Sequence, residues 1–202
     1  MRLFIAIDLP DKVRRALGEL MDELRKKCPE ARWVRPEGMH ITLKFLGYVK
    51  DDDGGKQLAS IRAALATIRS SAPVDMRFRG IGFFPSPRRP RVVWCGIEAS
   101  PNLVQLAADL DRVLEPLGFP PEKRAFVPHL TLARFNEARS SSKHARSVSG
   151  REELVRAAEA LASRELGVTR QTEFYLFESV LKRSGAEYKK LETYRFAQET
   201  AL

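Results

Sequence analysis

Apolar positions recur along this chain with two periods, and the switches between them mark its elements. The first apolar run, Leu3 to Ile7, predicts a buried strand over residues 2–8. From Pro10 the period becomes helical. Val13, Leu17, Leu20, Met21 and Leu24 share one face of a helix over residues 10–27, opened by Pro10 and ended by Cys28-Pro29. A short strand at 32–35 and a turn at Pro36-Glu37-Gly38 follow. Met39 to Gly47 alternates as a strand, with Ile41, Leu43 and Phe45 on one face and His40 and Thr42 on the other. Asp51-Asp52-Asp53-Gly54-Gly55 reads as a solvated acidic loop, without the ligand alternation of a calcium loop.

The second half repeats these signals. Leu58, Ile61, Leu65 and Ile68 mark a second helix. Val74 to Phe84 and Arg91 to Glu98 form a long hairpin through the rigid basic turn Pro85-Ser86-Pro87-Arg88-Arg89-Pro90. Ser100 as N-cap and Pro101 at the first position start a third helix, whose stripe runs Leu103, Leu106, Leu110, Val113, Leu114 and Leu117 and closes at Gly118. After the connector Phe119-Pro120-Pro121, a strand spans Pro128 to Phe135. Polar residues 136–150 read as a mobile loop containing His144, which takes no role. Leu154, Val155, Ala158, Leu161 and Ala162 mark a fourth helix. Residues 168–182 and 187–196 read as a closing hairpin through Ser184-Gly185. Strands in hairpins, with no βαβ regularity and no glycine-rich phosphate loop, predict an α+β fold of antiparallel sheets with helices packed on one side.

Composition narrows the partners. The chain has 202 residues, enough for one domain or two small lobes. It carries 35 Lys and Arg against 26 Asp and Glu, a net charge of +9, which suits an anionic partner such as RNA. Cys28 and Cys95 form neither a metal nor a redox pattern and fit a reducing cytoplasm. The initial apolar run is too short for a signal peptide, and no stretch reaches the roughly 20 apolar residues of a membrane span.

Two of the three histidines sit in matching four-residue patterns, His40-Ile41-Thr42-Leu43 and His129-Leu130-Thr131-Leu132. On a strand, residues i and i+2 share a face, so each histidine stands beside its threonine. A neutral imidazole takes a proton and an imidazolium gives one, each transfer being worth roughly 10²–10⁴-fold. Two of them flanking a phosphorus could serve as base and acid, with the threonine hydroxyls on the non-bridging oxygens. The competing readings are two satisfied strand histidines, or a metal site. Catalytic zinc takes three protein ligands, and no third ligand stands at a suggestive spacing.

These residues resemble the 2H phosphoesterases, and more closely the bacterial and archaeal RNA 2′,3′-cyclic phosphodiesterases also described as 2′-5′ RNA ligases. Arg2 to Ile7, Trp33, His40 to Gly47, Phe84-Pro85, Pro90 to Trp94, Pro128 to Arg134 and Leu181 to Tyr188 carry the likeness. The resemblance implies one domain over residues 1–202, made of two pseudo-symmetric lobes, each with an antiparallel sheet, around a central cleft. It implies metal-independent, cofactor-free hydrolysis of a 2′,3′-cyclic phosphate at an RNA end to a 2′-phosphomonoester. His129 would be the proton acceptor and His40 the proton donor. Thr42, Thr131 and Arg134 would bind phosphate. The partners implied are RNA ends, tRNA fragments among them, with the protein a cytoplasmic monomer free of membranes. Ligation of tRNA halves, hydrolysis of another cyclic nucleotide such as an ADP-ribose cyclic phosphate, and a non-catalytic RNA-binding module are the rival readings. One residue strains the strand reading. Arg134 is five positions past His129, so strict alternation turns it away from the cleft unless the strand bulges, twists or ends. Lys44 has the parity to sit beside Thr42. Arg88 and Arg89 could meet a phosphate backbone or simply be solvated.

Overall fold

Two antiparallel sheets, four-stranded and five-stranded, share one hydrophobic core in a computed structural model. The structure describes residues 1–50, 54–135, 144–182 and 185–198, with 144–149 described by backbone alone. Asp51 to Asp53 of the acidic loop, residues 136–143 and Ser184 lie outside the described residues.

Strand β1 (Arg2–Asp8) leads into helix α1 (Asp11–Lys27), the short strand β2 (Arg32–Trp33), a 3₁₀ turn at Pro36–Gly38 and strand β3 (His40–Tyr48). Helix α2 (Lys56–Leu65) precedes the hairpin of β4 (Val74–Phe84) and β5 (Val92–Ala99), then helix α3 (Asn102–Leu114) and strand β6 (His129–Arg134). Helix α4 (His144–Ala160) and strands β7 (Glu165–Gln171), β8 (Glu173–Lys182) and β9 (Gly185–Arg195) complete the chain. The strand orders are β3-β1-β8-β9 and β2-β6-β5-β4-β7. In each, a His-x-Thr strand heads a run of four antiparallel strands, with only β2 outside β6.

The apolar stripe of α1 is the one the sequence predicts, and burying Val13, Leu17, Leu20, Met21 and Leu24 contributes roughly 1.5–3 kcal/mol each in transfer terms. Three expectations change. Ser100 does not cap α3: its hydroxyl accepts from the Asp75 amide and donates to Asn102, and the helix begins at Asn102. Helix α4 begins at His144, so the polar stretch read as loop to Gly150 is helical over its second part. Residues 168–182 are two strands, not one. β7 pairs with β4 in one sheet and β8 with β1 in the other. The break falls at Thr172, whose carbonyl accepts from the Phe196 and Ala197 amides, and no glycine or proline announces it.

Candidate active site

β3 and β6 lie against each other where the two sheets meet, which brings the two motifs together. Each strand carries a bulge directly after its threonine, and these bulges decide which side chains reach the cleft. On β1, Arg2, Phe4, Ala6 and Asp8 share one face. They stand opposite Tyr48, Phe45, Thr42 and His40 of β3. Phe4 and Ala6 pack with Phe177, apart from the main core, so this is the cleft face. The register slips once between Thr42 and Lys44, and again between Phe45 and Gly47, where Gly47 adopts φ 72°. The cleft face of β3 therefore reads His40, Thr42, Phe45, Tyr48.

This corrects the alternation expected from sequence. Phe45 is 58% exposed on the cleft side rather than in the core, and Lys44 is turned inward, 3% exposed. Its ammonium is paired with the Asp111 carboxylate and donates to the Pro120 carbonyl at 2.9 Å. Lys44 is a strut between β3 and the connector after α3, not a neighbour of Thr42.

β6 repeats the device. His129, Thr131 and Arg134 stand opposite Gly96, Trp94 and Val92 of β5, with the slip at Leu132–Ala133. Leu130, Leu132 and Ala133 are buried, and Arg134 is exposed on the face of His129 and Thr131. The extra residue turns an offset of five into one of four, and Arg134 reaches the cleft. Its charge acts on His40 across the gap.

Both imidazoles are anchored alike. His40 Nδ1 donates to the Gly38 carbonyl at 2.8 Å, and His129 Nδ1 to the Val127 carbonyl at 2.9 Å. A carbonyl only accepts, so each Nδ1 carries hydrogen and each Nε2 is left for proton transfer. Arg14, on α1, fixes the turn that holds the first anchor. It donates to Pro36 O at 2.5 Å, Met39 O at 3.3 Å and Leu9 O at 3.1 Å, and pairs with Asp8 Oδ1 at 2.5 Å.

The two histidines differ in their surroundings. His40 lies among rings: Phe4 at 4.6 Å, Phe177 at 6.1 Å and Tyr188 edge-on at 4.8 Å. Burial pushes it down to about 4. The Arg134 and Arg14 charges add to that, while the Gly38 hydrogen bond and the Asp8 carboxylate oppose it. Burial would raise the Asp8 carboxyl itself. The Lys190 ammonium at 2.6 Å, the Leu9 amide and Arg14 outweigh burial and hold it below the usual carboxylate value. His129 meets Phe84 edge-on at 5.1 Å, and Phe84 leans on Trp94. A Cβ on Gly82 would lie 2.2 Å from the Trp94 indole, so glycine is required for Trp94 to lie flat beneath this wall.

The cleft thus presents two Nε2 atoms, two half-buried threonines and one guanidinium. That set can accept a proton, donate a proton and bind a tetrahedral anion. Arg88 and Arg89 stay in the exposed turn after β4. The reading of the sequence missed Phe4, Asp8, Phe177, Tyr188, Phe84 and Trp94. One signal was present, since Arg2, Phe4, Ala6 and Asp8 alternate with Leu3, Ile5 and Ile7 and end in charges at the parity of Phe4.

The family model described as LigT like Phosphoesterase matches residues 7–94 and 97–188. The RNA 2′,3′-cyclic phosphodiesterase of Methanothermobacter thermautotrophicus is 33% identical, over 96% of this chain and 98% of that protein. The enzyme of the same name from Archaeoglobus fulgidus is 32% identical, over 96% and 99%. Among solved structures, a Thermus thermophilus protein superposes with a TM-score of 0.71 at 30% identity, covering 99% of this chain and 100% of that one. LigT of E. coli complexed with 3′-AMP gives a TM-score of 0.70 at 28% identity, covering 98% of both.

Proposed function

We propose, since the chain belongs to the LigT-like phosphoesterase family, that it hydrolyses RNA 2′,3′-cyclic phosphodiester ends to 2′-phosphomonoesters by paired-histidine acid–base catalysis, without a metal. The observation that carries the reading is the twin anchoring of the imidazoles, each with Nε2 free beside a threonine on the cleft face. Relatives over nearly the whole chain bear the name of this activity.

His129 takes a proton from water as the water oxygen attacks phosphorus. The bond from phosphorus to the 3′ oxygen breaks, and His40 delivers its proton to that oxygen. Thr42, Thr131 and Arg134 hold the non-bridging oxygens, where charge develops. His40 must be charged to act as donor, yet its burial among rings keeps it neutral at pH 7 in the free protein. An anionic phosphodiester beside it favours the imidazolium, so substrate arms its own acid.

The same step, with the same 3′ oxygen leaving, yields a 2′-5′ linkage when an RNA 5′-hydroxyl replaces water as the attacking group. Ligation of tRNA halves is therefore the second reading, favoured by the likeness of the two anchors. One domain of two related halves, a monomer in the cytoplasm, suits the matching strand orders and the two free, buried thiols.

The test is incubation with an RNA ending in a 2′,3′-cyclic phosphate. A 2′-phosphomonoester appears, EDTA leaves the rate unchanged, and His40→Ala and His129→Ala each abolish turnover while RNA still binds. A 3′-phosphate product reverses the leaving group. Activity that survives either substitution removes the two-histidine mechanism.

A further inference from the structure

A groove of about 700 Å³ lies along the far half of β3, between Phe45, Leu46 and Tyr48 and the connector Gly118–Arg124. Three features set it apart from an ordinary surface hollow. The two bulges of β3 put Phe45 and Tyr48 on the face of His40, and the rings are 58% and 77% exposed. Exposed aromatic rings in sequence along one face are uncommon unless they bind something. Cations accompany them: Lys123 and Arg124 line the opposite wall, and Arg2 stands across from Tyr48 on β1, all exposed, with Glu122 the one carboxylate among the described lining residues. The walls are fixed to each other. Buried Lys44 ties β3 to Asp111 and Pro120, and Asp111 also accepts from the Glu122 amide at 3.3 Å. Gly118, at φ 88°, leaves open space above the floor.

We infer that this groove binds the single-stranded RNA immediately upstream of the cyclic phosphate, with Tyr48 as a stacking platform for a base and Lys123 and Arg124 on its phosphates. Stacking rings interleaved with cations are what a sequence-tolerant single strand requires. The lining residue nearest His40 along β3 is Phe45, whose ring lies 6.1 Å from Phe4, itself 4.6 Å from His40. From His40 to Tyr48, which stand opposite Asp8 and Arg2 of β1, the strand advances about 20 Å at ~3.3 Å per ladder step, room for a few nucleotides beyond the terminal one. The preferred substrate is then an oligonucleotide with an unpaired 3′ end rather than a cyclic mononucleotide.

This inference rests on the reading of the cleft given above, and the two fail separately. Hydrolysis of a 2′,3′-cyclic mononucleotide reports the cleft alone, and dependence on length reports the groove. With cyclic-phosphate oligonucleotides of one, two, four and six residues, kcat/KM rises with length in the wild type. Tyr48→Ala raises KM for the hexanucleotide about tenfold. It leaves kcat and mononucleotide turnover unchanged, and Tyr48→Phe restores the wild-type KM. Lys123→Ala with Arg124→Ala raises the same KM and flattens its salt dependence by roughly one to two units of log–log slope. No gain with length, or an equal loss on mononucleotide and hexanucleotide, overturns the inference. So does a wild-type dimer that Tyr48→Ala dissociates without any effect of length, since the groove would then be a protein contact.

Discussion

His40 is the residue on which pH acts most directly. Its imidazole is held at about 4 in the folded protein against 6.5 for an unperturbed histidine. Between those values the unfolded chain binds a proton that the folded chain does not, so stability rises with pH across this window. Acidification from 6.5 toward 4 costs about 1.4 kcal/mol per unit from this group alone. Above 6.5 the penalty vanishes. In an NMR titration of the free protein, the His40 midpoint lies near 4, and saturating inorganic phosphate moves it upward by more than one unit. A midpoint unmoved by bound phosphate disqualifies His40 as the proton donor. The positions of His40, Thr42, His129 and Thr131 on the wet faces of their strands were readable, because a period of two suffices to place them. Nothing in the local pattern marked His40 as the more enclosed histidine, since its rings come from β1, β8 and β9.

At the scale of the element, the bulges decide what alternation alone could not. The sequence posed the problem of Arg134 through its offset of five, and one extra residue in β6 solves it. The matching slip in β3 has no such warning, so alternation alone puts Lys44 on the cleft side and Phe45 in the core. A bulge is set by what its strand packs against, here a carboxylate on α3 that draws Lys44 inward, and that partner is 67 residues away. Lys44→Met leaves Asp111 without its cation and costs about 2–3 kcal/mol, at or below the low end for a broken buried pair because Asp111 keeps a quarter of its exposure. Replacing Asp111 by Leu as well recovers most of that loss. Thermal or urea unfolding of the single and double variants measures both values. A single variant as stable as the wild type shows that the strut contributes nothing. Helices α1 and α2 were legible from their stripes because an amphipathic period is a local signal. The division at Thr172 was not, because both halves of the segment have strand character and only the sheets they join differ.

The whole molecule is interlocked. β1 and β3 belong to one sheet while β2, between them in sequence, belongs to the other, and β7 and β8 part company within three residues. Cutting the chain after α3 would strip β1 of β8 and β4 of β7. The two sheets therefore unfold together. Trp33 on β2 and Trp94 on β5 both sit in the five-stranded sheet, so tryptophan fluorescence follows that sheet alone and far-UV circular dichroism follows both. The two signals give coincident denaturant transitions if folding is cooperative. A fluorescence transition displaced from the dichroism transition would show that the sheets unfold independently.

The twin carbonyl anchors have one more consequence. In the proposed mechanism the proton has changed sides after a hydrolytic turnover: the imidazole that began neutral is charged, and the one that began charged is neutral. Because Gly38 and Val127 hold both rings in the same tautomer, this spent state is no dead end. It is a competent catalyst for the opposite reaction, with every group already in place. The direction in which this molecule can work next is written in the location of a single hydrogen ion. Bulk water must erase that record before the forward reaction can begin again.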